Sequence, residues 1–138
     1  MTLQAQQFPF LSLNPTAGAP GLFPYLPLQL ALGSQTVSPL GLLDSGAMVN
    51  VLPHDLGVQL GADWQQQTTR VQLTGNLAQH EARGLIVDAT VASFPSVRLV
   101  FAWTKSNAVP LLLGQMNFFL EFDVCFFRSR AVFEVKPK

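Results

Sequence analysis

The chain has 138 residues, 49% of them hydrophobic and only 12% charged, with Lys plus Arg equal to Asp plus Glu. That length suits one domain over residues 1–138, and zero net charge leaves no basic field for phosphate backbones, which argues against nucleic acid as a partner. So few charges predict that part of the apolar surface is covered by a partner.

"MTLQAQQFPF" has neither the basic start nor the long apolar segment of a secretory leader, and the longest apolar runs are too short to span a bilayer. The expectation is a cytoplasmic protein without a membrane partner. The single cysteine, Cys125, excludes an internal disulfide. Its apolar run, "FDVCFF", reads as a buried thiol.

Short runs rich in Val, Leu and Phe, punctuated by ten prolines and ten glycines, predict a mainly β protein. In chain order, "FPFLSL" reads as a first strand and "NPTAGAPG" as a loop. "LPLQLAL" meets a turn at Gly33-Ser34, and "VSPLGLLD" returns as a strand ending at Asp44. "PHDLGVQLG", framed by Pro53 and Gly61, predicts a short helix. "TRVQLTGNLAQHEARGLIVDATVAS" reads as two strands joined near Gly75, with "GLIVDATVA" the stronger, and "VRLVFAW" adds another. In "VPLLLGQMNFFLEF" a β-type run reaches Gly114, after which the spacing of Met116, Phe119 and Leu120 predicts one short helix. "FDVCFF", a polar turn over Arg128-Ser129-Arg130 and "AVFEV" form a closing hairpin.

Chemistry-bearing residues are scarce. His54 and His80 stand in unrelated contexts without the spacing of a zinc site, and no metal is expected. Ser45 lacks the G-x-S-x-G elbow of a serine hydrolase, and there is no phosphate-cradling G-x-x-x-x-G-K loop. What remains is Asp44-Ser45-Gly46-Ala47. A D-[ST]-G triplet arises by accident in roughly one chain of this length in twenty. Read blandly it is a β-turn, which predicts polar surroundings. Here Leu42 and Leu43 precede it and Ala47, Met48 and Val49 follow, so the carboxylate is either desolvated for a purpose or set at the floor of a cleft.

"LLDSGAMVNVLP", followed between Val109 and Phe119 by "VPLLLGQMNFF", resembles the retropepsin-like aspartic proteases, the single-lobed relatives of the retroviral proteases. The resemblance covers about Leu26 to Phe127. It leaves residues 1–25 as an N-terminal extension or strand and 128–138 as a C-terminal hairpin arm. It implies a closed β-barrel with a flap hairpin and one or two short helices, and an aspartic endopeptidase with Asp44 as the catalytic residue. Ser45, Gly46, Ala47 and Gly114 would support the active-site turn. Leu42, Gly46, Gly75, Leu77, Val109, Pro110 and Leu112 would contact a peptide with apolar residues beside the cut. Leu42, Val109, Pro110 and Leu112 fit plain core equally well, and Gly114 fits a simple helix-start glycine.

Peptide hydrolysis by carboxyl groups alone needs two of them, one withdrawing a proton from water and one protonating the carbonyl oxygen. With a single D-[ST]-G, activity implies a homodimer in which each copy gives one Asp44, with no cofactor. Two carboxylates about 3 Å apart repel by roughly 5 kcal/mol at an effective dielectric near 20, so the pair would share one proton. Three departures from the family pattern stand out. The flap region "QLTGNLAQ" has one glycine, Gln115 stands where retroviral members carry Arg, and Met48 stands where they often carry a carboxylate. The alternative reading is a catalytically silent module of the same fold that holds a peptide or protein.

Overall fold

A computed structural model of the chain describes residues 3–13 and 21–138. The loop expected over "NPTAGAPG" lies outside these residues except for Gly21. Among the described residues strands dominate and helices are short.

Alternation builds the largest element, a hairpin of β7 (Ala82–Thr90) and β8 (Val97–Thr104). Leu85, Val87 and Ala89 on one arm and Leu99, Phe101 and Trp103 on the other are buried. Ile86, Asp88, Arg98 and Val100, one residue out of step, are exposed, as a strand's two-residue period requires. β6 (Asn50–Leu52) runs parallel to β8, and β9 (Leu112–Leu113) lies between β6 and β5 (Leu40–Leu43). With β2 (Tyr25–Pro27), β3 (Gln29–Leu32) and β4 (Gln35–Val37), these strands form an eight-stranded sheet in the order β2-β5-β9-β6-β8-β7-β3-β4.

The strands expected over 26–32 and 37–44 are therefore each broken, at Leu28 and at Ser38-Pro39. The register is nevertheless continuous, with Leu26 opposite Gly41 and Leu30 opposite Val37, so β2–β3 and β4–β5 are the two arms of one hairpin, interrupted at prolines that have no N–H to give a ladder. The outer sides of this hairpin meet opposite ends of the remaining strands: β3 pairs with β7 and β5 with β9. The Leu28 N–H donates to the Pro39 carbonyl at 3.2 Å and stitches the two breaks together. This draws the sheet into a strong curl. With β3 held to β7 and β5 to β9, one hairpin borders both ends of the remaining strands, and the sheet is a curled half-barrel.

α1 (His54–Gln59) follows Pro53 and ends before Gly61 at φ +82°, the left-handed exit that glycine adopts without strain. Gly57 on this helix lies against the Trp103 ring, where a Cβ would collide with the indole. Trp103 also stacks on His54 and donates its indole N–H to the His54 carbonyl at 3.0 Å. α2 (Phe118–Glu121) is a single turn with Phe118 fully buried. Met116, expected on its apolar face, precedes it and is exposed.

A second sheet of three strands, in the order β1-β11-β10, combines β1 (Gln6–Pro9), β10 (Phe122–Phe127) and β11 (Val132–Pro137). The first strand thus begins earlier than expected, and Leu11 makes only an isolated bridge to Phe23. Ala131 at φ +53° turns the chain between β10 and β11. Phe133 and Val135 of β11 are fully buried, with Phe8 stacked on Phe133 at 5.5 Å. Cys125, expected to be buried, is exposed, because it points from β10 away from the face that carries Val124 and Phe126 against Val135 and Phe133. No helix among the described residues is long and apolar enough to cross a membrane.

Candidate active site

Asp44 leaves the end of β5 directly after Leu43, which is buried. Its N–H donates to the Leu113 carbonyl at 3.0 Å, and its carbonyl accepts from the Ala47 N–H at 3.0 Å, which closes a tight turn. One carboxylate oxygen, Oδ1, accepts the Gly46 N–H at 3.0 Å, the self-bond by which Asp favours turns. The other oxygen has no hydrogen-bond partner among the described residues.

The turn is laced to the segment after β9. Gln115 donates its N–H to the Ala47 carbonyl at 2.9 Å and its side-chain Nε2 to the Ser45 carbonyl at 2.8 Å. Met116 donates its N–H to the Met48 carbonyl at 2.8 Å, and the Met116 carbonyl accepts from the Asn50 N–H at 3.1 Å. Gly114 sits so close beneath the turn that a Cβ there would lie 2.7 Å from the carbonyl oxygens of both Ala47 and Val49. The tight packing expected of Gly114 is therefore enforced by backbone, which cannot move aside cheaply.

Asn50 is a feature that sequence reasoning missed. Its side chain is 0% exposed, and every polar atom has a partner. Oδ1 accepts the Gly114 N–H at 2.8 Å, while Nδ2 donates to the Val100 carbonyl at 3.1 Å and to Asn117 Oδ1 at 3.2 Å. Asn117 Oδ1 also accepts the Val100 N–H at 3.0 Å, and Asn117 Nδ2 donates to the Arg98 carbonyl at 3.1 Å. A satisfied buried amide rigidifies, whereas an orphaned one costs about 1–3 kcal/mol per group. The signal in the sequence was Asn50 itself, a lone amide inside "MVNVLP".

Above the turn lies a hollow of about 260 Å³. Asp44, Gly46 and Ala47 form its floor, Val51 and Leu112 a wall, and Leu73, Gly75 and Leu77 its roof. Asp44 is the sole ionisable side chain among the lining residues. Leu42, Val109 and Pro110 are not among them: Val109 is buried and Pro110 is exposed. A second, apolar hollow of about 270 Å³ adjoins the first at Val49, between Val71, Val100 and Met116.

The roof departs from the flap hairpin expected. Residues before Gly75 form no strand; Gly75–Leu77 is a short 3-10 turn, and Arg70 makes only a single bridge to Arg83 of β7. Two backbone bonds, Val71 N–H to Ala82 carbonyl at 3.0 Å and Gly84 N–H to Thr69 carbonyl at 2.8 Å, are the extent of the ladder. Gln72 bridges within the segment, its Nε2 donating to the carbonyls of Leu73 at 2.9 Å and Ala78 at 3.3 Å, and Leu73 is buried. Local side-chain bonding and an inward leucine compete here with strand pairing. Among the described residues no three His, Cys, Asp or Glu side chains come together as a metal site would require.

No protein-family model matches the chain, and no curated protein matches it. Among solved structures, a retropepsin-like aspartic protease from Rickettsia conorii matches with a TM-score of 0.65 and 14% identity, covering 97% of this chain and 92% of that one. At that identity the likeness concerns the fold. The chain is built on the fold of a retropepsin-like aspartic protease.

Proposed function

We propose that the chain is an aspartic endopeptidase whose site is completed by a second copy, each giving one Asp44. The observation that carries this reading is the isolation of Asp44. It is the sole ionisable side chain of its hollow, on a turn held by backbone bonds to the segment after β9. At about 260 Å³ the hollow is also below the ~300–1,000 Å³ usual for a ligand site, consistent with half of a cleft.

In the pair, two carboxyl groups share one proton, as is general for aspartic protease dyads. The ionised member takes a proton from a bound water, which attacks the scissile carbonyl carbon, while the protonated member donates to the carbonyl oxygen. The roles then reverse as the amide nitrogen takes a proton and the C–N bond breaks. Ser45, Gly46 and Ala47 hold the turn close to the substrate backbone, and Gly114 fixes it from beneath. Leu73, Leu77 and Leu112 offer apolar cover, which favours apolar residues beside the cut.

The test is cleavage of a peptide library at about pH 5, with and without a statine-type inhibitor. Inhibitable cleavage by the wild-type chain, lowered about 10³-fold or more in Asp44→Asn while folding is kept, is the expected result. No cleavage by demonstrably dimeric protein overturns the reading. The roof without a hairpin favours the second reading, a silent peptide-binding module, in which Asp44→Asn keeps its full affinity for a partner.

A further inference from the structure

Asp44 opens into only one of the two hollows that adjoin at Val49. The second, of about 270 Å³, has neither Asp44 nor Gly46 nor Ala47 in its wall. Passing from the first to the second is therefore passing outward along the groove, away from the carboxylate.

The second hollow is chemically plain. Val49, Val71, Val100 and Met116 frame it, no lining side chain is ionisable, and Asn117 is the sole polar one. Both polar atoms of Asn117 are already bonded: Oδ1 accepts from Asn50 Nδ2 and the Val100 N–H, and Nδ2 donates to the Arg98 carbonyl. A polar group entering there gives up water for little in return, whereas an apolar one gains by leaving water. The surface is open to a visitor, with Val100 47% and Met116 56% exposed. Contiguous apolar surface of this kind marks a binding site.

Spacing along the roof names the visitor. Leu73 lines the first hollow and Val71 the second, two residues apart. Side chains on one face of an extended peptide are also two residues apart, roughly 7 Å. A peptide lying alongside the roof thus brings alternate side chains over the two hollows in step. A compact ligand would fill one hollow; an extended chain fills both in one pass.

We infer that the second hollow is a specificity pocket for a large apolar side chain of a bound peptide, two residues farther from Asp44 than the one held in the first. The inference rests on the proposed function only in taking the ligand of the first hollow to be a peptide, which the endopeptidase and the silent module share. Its two walls differ. Asn50 and Asn117 bond the Val100 carbonyl and N–H and so fix β8 against the segment after β9. Val71 opposite is held by one backbone bond to Ala82 and can give way. The pocket should therefore separate apolar from polar side chains more sharply than Leu from Phe.

The probe is a randomised library of short peptides, bound to Asp44→Asn so that none is cut. Enriched peptides should carry two large apolar residues two positions apart. In the best binder, changing the outer one to Ser should raise the dissociation constant about tenfold. Met116→Glu and, separately, Val100→Glu, both at exposed side chains, should shrink that effect below about threefold and bring Lys or Arg to the outer position. Choice at the inner position should stay as it was. Wild-type cleavage products should show the same outer preference. Cleavage whose preferences stop beside the cut, or an outer preference indifferent to both glutamates, overturns the pocket and leaves the endopeptidase reading standing. Selective binding of the spaced pair, without cleavage by the wild-type chain, upholds the pocket and removes the enzyme reading. If Met116→Glu changes the sedimenting species but not peptide choice, the face belongs to a second copy and the pocket falls. Failure to bind any peptide overturns it too.

Discussion

The floor and the roof of the hollow are held in opposite ways. From Asp44 to Asn50 the floor is bonded residue by residue to the segment 113–117, over a glycine that nothing larger can replace and an amide with no exposed surface. The roof, from Thr69 to Leu77, has two ladder bonds to β7 and is otherwise tied to itself, in part through Gln72. On the proposed reading, a carboxylate that meets its twin in fixed geometry needs the first kind of support, and a cover that admits an extended chain needs the second.

The contrast can be broken at its strongest point first. Gly114→Ala should destabilise the protein by about 3 kcal/mol, read from urea unfolding, because the new Cβ meets two backbone carbonyls. A loss below about 1 kcal/mol would show that the floor yields. Asn50→Leu keeps the volume but leaves the Gly114 N–H and the Val100 carbonyl without their partner. A loss of about 2 kcal/mol in thermal unfolding is expected, with faster amide exchange at Gly114. Gly75→Ala probes the roof. Its φ of +64° strains alanine, yet no atom lies within contact of the added Cβ. The expected cost is about 1 kcal/mol, confined to faster exchange between residues 71 and 80. A global loss as large as that of Gly114→Ala would erase the distinction.

The same contrast separates what the sequence made legible from what it did not. The β7–β8 hairpin could be read from its two-residue alternation, α1 from Pro53 and Gly61, and the turn at Gly33 from its type. The Asp44 turn and its packing on Gly114 were also readable, since both depend on small residues in fixed places. The roof was not, because Val71 and Leu73 alternate as a strand does while Gln72 bonds its own segment. The hairpin of β2–β3 with β4–β5 was legible from the turn at Gly33, and only its interruptions at Leu28 and at Ser38-Pro39 were not. Cys125 misled for another reason: "FDVCFF" is apolar on both faces, and only the tertiary arrangement shows which face is left open.

β5 and β6 follow one another in the chain, yet they are not neighbours in the sheet, for β9 is wedged between them. Leu113, the acceptor for the Asp44 N–H, is made well after it, behind the whole β6–β8 stretch. A nascent or truncated product that stops short of it carries the acidic turn without its brace. Birth order alone thus leaves the acidic turn unbraced until residue 113 has been made.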